Sequence, residues 1–172
     1  NHFLYSVLIA VTIKSVLEKL KVKKIKFKWP NDIYYENKKF SGIISETFSY
    51  KNKQSYMIVG FGINFISSPK IKNYESTHIN NFLDIDIKIF LDNFFKLLFK
   101  NLRCLQNNDY DQLFEEYKNY LMLKDQTINI LLPDKSIISG LFKGVNKDGS
   151  LILENNNKLN HIYNGSIQIW LL

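Results

Sequence analysis

Residues 24–33 constrain this chain more than any other ten. Lys24, Lys26 and Lys28 alternate with Ile25, Phe27 and Trp29, the period of two that marks a strand with one buried face and one wet face. Pro30-Asn31-Asp32 then stops the strand. Proline cannot donate to a ladder, and Asn and Asp favour turns by bonding their own backbone. A carboxylate and an amide at such a break can hold a magnesium ion or a ligand hydroxyl. Lys39 opens the next extended run, through Gly42-Ile43-Ile44-Ser45-Glu46, and supplies a compact, mobile cation suited to an anionic group. Gly42 lets backbone come close to a ligand, and Gly60 and Gly62 repeat that device in a third run that ends on the amide of Asn64.

The rest of the chain frames these runs. Phe3, Leu4, Val7, Leu8, Val11, Val16, Leu17 and Leu20 recur at spacings of three and four, so residues 3–20 read as a helix that is apolar almost all round at its start and deeply buried. It has no basic leader and no small-residue cleavage site, so it does not read as a signal peptide. Lys19, Lys21, Lys23 and Lys24 crowd its end, where cations favour the helix dipole. Strands are expected at about 25–29, 33–35, 39–49 and 55–64, with turns at Glu36-Asn37-Lys38 and Tyr50-Lys51-Asn52-Lys53. The continuous apolar run Met57-Ile58-Val59-Gly60-Phe61 predicts a central strand covered on both faces. Residues 66–86 form a polar, irregular segment, of a length that is often functional in a compact domain. Two amphipathic helices follow at 87–106 and about 109–121, with Phe90, Phe94 and Leu98 on the apolar stripe of the first.

From Gln126 the period changes again. Strands at Thr127–Leu132, Ile137–Val145, Ser150–Glu154, Lys158–Tyr163 and Ser166–Leu171 are separated by turn signals that include Asp148-Gly149 and Asn164-Gly165. Five short strands in so few residues predict a small barrel.

Composition excludes several classes. The chain has 172 residues, 45% apolar and 15% aromatic, which suits one medium domain or one domain with a small appendage. No uninterrupted apolar run is long enough for a membrane span. Cys104 is the single cysteine, so no internal disulfide forms, in keeping with a reducing cytoplasm. His2, His78 and His161 are scattered and make no metal cluster with it. The net charge of +7 invites a nucleic-acid reading, but Arg103 is the sole arginine among 23 basic residues. Nucleic-acid sites exploit arginine for bidentate and stacking contacts, so the lysine excess is read as compositional drift, or as an attraction for an acidic partner protein.

The order Lys28-Trp29-Pro30-Asn31-Asp32, then Lys39-x-x-Gly42-Ile43-x-x-Glu46, then Gly60-x-Gly62-Ile63-Asn64 resembles the catalytic domain of the biotin protein ligases, also called biotin–[acetyl-CoA-carboxylase] ligases. The resemblance implies an α/β (α+β) fold: a mixed-sheet biotin/lipoate-ligase-like catalytic domain over residues 1–124, with helices on one side. A small SH3-like β-barrel over residues 125–172 follows. It implies that biotin and ATP are joined to biotinyl-5′-adenylate with Mg2+. Biotin then passes to a lysine of the biotin carboxyl carrier protein, a subunit of acetyl-CoA carboxylase, or of another biotin-dependent carboxylase.

By position in the motifs, Lys39 is implied to contact the biotin carboxylate and the adenylate phosphate and to act as the electrostatic catalyst. Asp32 works with magnesium or the adenylate, and Lys28 with phosphate. Asn31, Gly42, Ile43, Ile44, Gly60, Phe61, Gly62 and Asn64 line biotin or nucleotide. Asp32 and Asn64 are the metal positions. Trp29 reads as a packed wall, Lys38 as a solvated neighbour and Glu46 as a satisfied structural carboxylate. Tyr74 and Phe82 are adenine-stacking candidates on aromatic character alone. The family's glycine/arginine-rich loop has no copy in this chain and is expected upstream, so the chain reads as an N-terminally incomplete piece. A lipoate or octanoyl ligase of the same fold, a remnant that binds the carrier without activity, and homodimer formation stay open.

Overall fold

The structure, a computed structural model, describes residues 2–49, 55–72, 74–107 and 109–168. Helix α1 (His2–Lys19) leads into four strands, β1 (Ile25–Lys28), β2 (Asp32–Tyr35), β3 (Lys38–Ser49) and β4 (Ser55–Ile63). They form one antiparallel sheet in chain order. The β1–β2 connection centres on Pro30-Asn31, as the turn chemistry requires. The β2–β3 turn places Glu36 and Asn37 at positive φ. The Tyr50–Lys53 turn lies outside the described residues.

Helices α1, α2 (Ile87–Gln106) and α3 (Asp111–Asn119) cover one face of this sheet. Phe27 of β1 stacks on Tyr117 of α3, and Phe61 of β4 packs on Phe94 of α2 at 5.0 Å in each case. Helix α1 is buried from Phe3 to Leu17 almost without a break, which is why its sequence is apolar all round. Each such large apolar side chain contributes about 1.5–3 kcal/mol when fully buried. After α3 the chain returns beside β1: Phe27 N–H donates to Tyr120 O and Met122 N–H donates to Phe27 O. That return and a bridge from Lys39 to Ser76 are single parallel contacts, whereas all named strands pair antiparallel. The sheet's mixed character is thus confined to two bridges.

One expectation fails at β4. It is an edge strand, not a central one, and its exposure alternates. Val59, Phe61 and Ile63 turn toward the helices, while Ile58 on the other face is 59% exposed. A continuous apolar run therefore marks two apolar faces here without marking two covered ones. Glu46, opposite Ile58, is exposed as well and has no ion-pair partner among the described residues, so it is not a satisfied structural carboxylate.

Strands β5 (Thr127–Leu131), β6 (Ile137–Val145), β7 (Leu151–Asn155), β8 (Lys158–Ile162) and β9 (Ser166–Gln168) make a second antiparallel sheet in the order β8-β7-β6-β5-β9. The turns fall where Asp-Gly, Asn-Asn and Asn-Gly place them, with Gly149, Asn156, Asn157 and Gly165 at positive φ. Among the described residues the expected barrel does not close: β8 and β9 stand at opposite ends of the order without pairing. Residues 169–172, which include the end of the strand expected to reach Leu171, lie outside the described residues. Among the described residues no helix is long and apolar enough to cross a membrane.

Candidate active site

Strands β2 and β3 run antiparallel with Asp32 opposite Gly42, and β3 and β4 pair Gly42 with Gly62 and Ile44 with Gly60. Side chains alternate across a sheet, so these residues share the face away from the helices. A cavity of about 450 Å³ opens there, and Asn31, Asp32, Lys39, Gly42, Gly62 and Asn64 all line it. Ile43, Ile44 and Tyr74 line it too.

Its charged centre is one ion pair, Lys39 Nζ to Asp32 Oδ1 at 2.5 Å, with both side chains about four-fifths covered. A Cβ at Gly42 would stand 3.4 Å from Asp32 Oδ1 and 3.6 Å from Lys39 Nζ, so the missing side chain keeps the pair open to the cavity. At Gly60 and Gly62 a Cβ would meet nothing within 4 Å among the described residues, and neither backbone has positive φ. Neither turn geometry nor internal crowding calls for glycine at these two positions. The surface they leave is a flat floor of backbone beside Ile44 and Ile58, which are 64% and 59% exposed.

The backbone fixes these groups firmly. Ile43 N–H donates to Asn31 O at 2.9 Å and Asn31 Nδ2 donates to Ile43 O at 2.7 Å, pinning the β1–β2 corner onto β3. Lys39 N–H donates to Glu75 O, and Thr77 N–H donates to Lys39 O. Asn64 Nδ2 donates to Thr77 O at 3.1 Å. The segment after β4 is thus strapped along the start of β3, which brings Tyr74 to the cavity with its ring centre 5.1 Å from Lys39 Nζ.

The remaining expected residues fall to either side. Phe61 turns away from the cavity onto Phe94, so only its backbone borders the floor. Ile43 is a core side chain whose main-chain N–H and C=O are both engaged by Asn31. Lys28 pairs across from Asp32 in the sheet but does not line the cavity. Burial holds its ammonium below the usual lysine range; Asp32 opposes that shift and Lys39 adds to it. Trp29 is the packed wall the sequence suggests, 2% exposed. Phe82 does not line the cavity and packs instead against Tyr35 at 4.1 Å and Phe40 at 5.7 Å. Lys38 pairs with Glu75 at the surface.

The donor set also admits a hard cation. Asp32 keeps Oδ2 beyond its bond to Lys39, and Asn64 keeps its amide oxygen because Nδ2 is engaged. One carboxylate and one amide oxygen match a magnesium ion held mainly by phosphates and water. Among the described residues no three His, Cys, Asp or Glu side chains gather into an all-protein metal cage.

The structure thus pairs an α/β domain, with an ion pair in a cavity beside a glycine-bearing strand, with a small β module. The profile of the Biotin/lipoate A/B protein ligase family matches residues 2–64, and that of the Biotin protein ligase C terminal domain matches residues 125–170. The chain belongs to the biotin protein ligase family. It is 24% identical over 175 residues to the bifunctional ligase/repressor BirA of Escherichia coli and 26% identical over 172 residues to that of Salmonella typhimurium. Each alignment covers 95% of this chain and 52% of the relative, so the chain spans about half the length of the curated relatives it matches. Among solved structures, the apo biotin protein ligase of Aquifex aeolicus superposes with a TM-score of 0.80 at 20% identity, covering 97% of this chain and 74% of that one. The same enzyme in complex with biotin and ATP gives 0.79 at 20%, covering 97% and 71%. These likenesses show the fold.

Proposed function

We propose that this chain carries the adenylating site of a biotin–[acetyl-CoA-carboxylase] ligase, with residues 1–124 as the C-terminal part of the catalytic domain and residues 125–172 as an SH3-like module. The observation that supports this best is the Lys39–Asp32 pair at one end of an apolar, glycine-floored trough. A bicyclic apolar ligand with a carboxylate tail fits that layout. The ring system lies on Gly60, Gly62 and Ile44, and the carboxylate meets Lys39.

In the first half-reaction a biotin carboxylate oxygen bonds to the α-phosphorus of ATP and the bond to pyrophosphate breaks. Two anions must meet, so positive charge and in-line placement carry the rate. Lys39 sits between the two anionic groups and steadies the charge as the phosphorus changes partners. Asn31 and Asn64 orient the nucleotide, and Tyr74 offers it a ring face. Asp32 and Asn64 would hold Mg2+, which when bound would supply charge to neutralise the phosphates. In the second half-reaction the amine of a carrier lysine attacks the acyl carbon and AMP leaves. The biotin carboxyl carrier protein supplies that lysine. The lone Cys104 suits a reducing, cytoplasmic setting.

The direct test incubates the full-length protein with biotin, ATP and magnesium and follows biotinyl-5′-adenylate by mass spectrometry, with lipoate in parallel. Biotin adduct in excess over lipoyl adduct is expected. Lipoyl adduct alone overturns the substrate, and neither adduct overturns the activity.

A second expectation concerns pH. If the Lys28 cation assists phosphate, the alkaline limb of the rate profile falls below the range of an exposed lysine, because burial disfavours its charge. Lys28→Arg moves that limb upward, since guanidinium does not titrate there. The effect on stability has the opposite sense. A lysine with a depressed folded pKa binds its proton more weakly folded than unfolded, so its contribution improves as pH rises from the folded value toward 10.5.

A further inference from the structure

The Trp29 side chain reaches across to the second sheet. Its indole Nε1–H donates to the carbonyl of Gly149, 2.8 Å away and 120 residues along the chain. A buried indole needs some acceptor, and any nearby carbonyl of its own sheet would serve. The acceptor is instead the tip of the β6–β7 turn, and that turn is built to present it. Asp148 Oδ1 accepts from Ser150 N–H at 2.9 Å and from Ser150 Oγ at 2.7 Å, and Tyr163 donates to Asp148 Oδ2 at 3.1 Å. Gly149 has φ +95°, and a Cβ there would sit 2.8 Å from the Phe3 ring of α1. Only glycine fits both the conformation and the space.

The other end of the same corner is fixed to β3 by the two Asn31–Ile43 bonds. Residues 29–31 thus hang between two anchors, one from each sheet, and Asp32 of the ion pair is the next residue out. We infer that the Asp148–Gly149 turn is a positioning element for the adenylating site: through Trp29 it sets where Asn31 and Asp32 stand relative to Lys39. This rests on the ligase reading above. Gly149 and Trp29 touch no reacting atom; they act through the corner they hold.

The test uses the full-length protein. Trp29→Phe keeps an aromatic ring but removes the donor together with the pyrrole half of the buried indole. Single-turnover formation of biotinyl-5′-adenylate at saturating biotin and ATP is expected to fall about tenfold, the scale of a sub-ångström misplacement, with biotin affinity within twofold of the unaltered protein. Gly149→Ala should act in the same direction. The double variant should lose less than the product of the two single losses, because both variants act on the same Trp29–Gly149 contact. A rate per folded molecule within twofold of normal in Trp29→Phe overturns the inference, and so do losses that multiply in the double variant. A readout independent of activity comes from 15N-labelled protein. Gly149→Ala must shift the Trp29 indole N–H and the backbone amides of Asn31 and Asp32. Unmoved Asn31 and Asp32 amides overturn the inference whatever the rates. Absence of adenylate from the unaltered protein counts against the ligase reading, and the amide shifts then decide the positioning role by themselves.

Discussion

Lys39→Ala in the full-length protein is expected to lower biotinyl-5′-adenylate formation about a thousandfold. Removing one preorganised charge-stabilising donor from an acyl- or phosphoryl-transfer site typically removes a factor of about 10² to 10³. Lys39 is placed for the upper end, since it is the cation lining the cavity and its partner Asp32 would be left as an unbalanced anion facing two more. Lys39→Arg should recover only part of the rate, because a planar fork cannot take the place of a compact ammonium packed 3.6 Å from the Gly42 Cβ position. The fold should survive both changes: the strap along β3 uses the backbone of Lys39, not its side chain. Quench-flow with radiolabelled ATP gives the rate and circular dichroism the fold. Near-normal adenylate synthesis by Lys39→Ala would remove the assigned role.

The second large effect concerns stability and lies away from the site. Lys14 is 1% exposed in the middle of α1. Its ammonium donates to Glu18 Oε2 at 2.6 Å and to Glu116 Oε1 of α3 at 2.9 Å, and it sits 3.6 Å from the centre of the Tyr120 ring. Tyr120 in turn donates to Glu18 Oε1 at 3.1 Å. Burial works against the charge, but the two carboxylates outweigh it, so the Lys14 pKa is raised above 10.5.

Lys14→Ala leaves a hole and two carboxylates that repel each other. Removing one member of a buried ion pair costs about 3–5 kcal/mol, and the partial exposure of both glutamates puts the expectation at about 3 kcal/mol. That corresponds to a Tm lower by roughly 6–12 °C for a domain of this size. The pH dependence has a definite sign. With the folded value above the unfolded one, the contribution is complete below pH 10.5 and disappears as pH rises through the folded pKa. The gap between the thermal melts of the two proteins should therefore stay constant from pH 7 to about pH 10 and narrow only above 10.5. A gap that does not narrow through the folded pKa would show that packing, not charge, is what Lys14 supplies.

Local chemistry was legible in the sequence. Pro30-Asn31, Asp148-Gly149 and Asn156-Asn157 announced their turns, and α1 announced its burial through an apolar surface on every side. The constellation Asp32, Lys39, Gly42, Gly62 and Asn64 was also legible, because four of these residues lie at or beside strand ends and the antiparallel pairing brings Gly42 opposite Asp32 and Gly62. Three features were not. The run 57–61 is apolar on both faces, and periodicity alone cannot tell a covered face from one left bare beside a cavity. Lys14 looks like any other lysine of a lysine-rich chain, since its partner Glu116 is 102 residues distant. The Trp29–Gly149 bond joins two turns that each read as complete in isolation. Contacts of long sequence separation leave no local trace, so they are where structure adds most.

The glycine floor of β4 has a consequence for how such a chain evolves. Gly60 and Gly62 lie within β4 with ordinary φ and open space beside them among the described residues, where a β-branched residue would add roughly 1 kcal/mol of strand stability at each position. Selection for thermal robustness alone would replace both and fill the trough. Their presence leaves β4 below its attainable stability, the trade expected if the proposed ligand rests on bare backbone there.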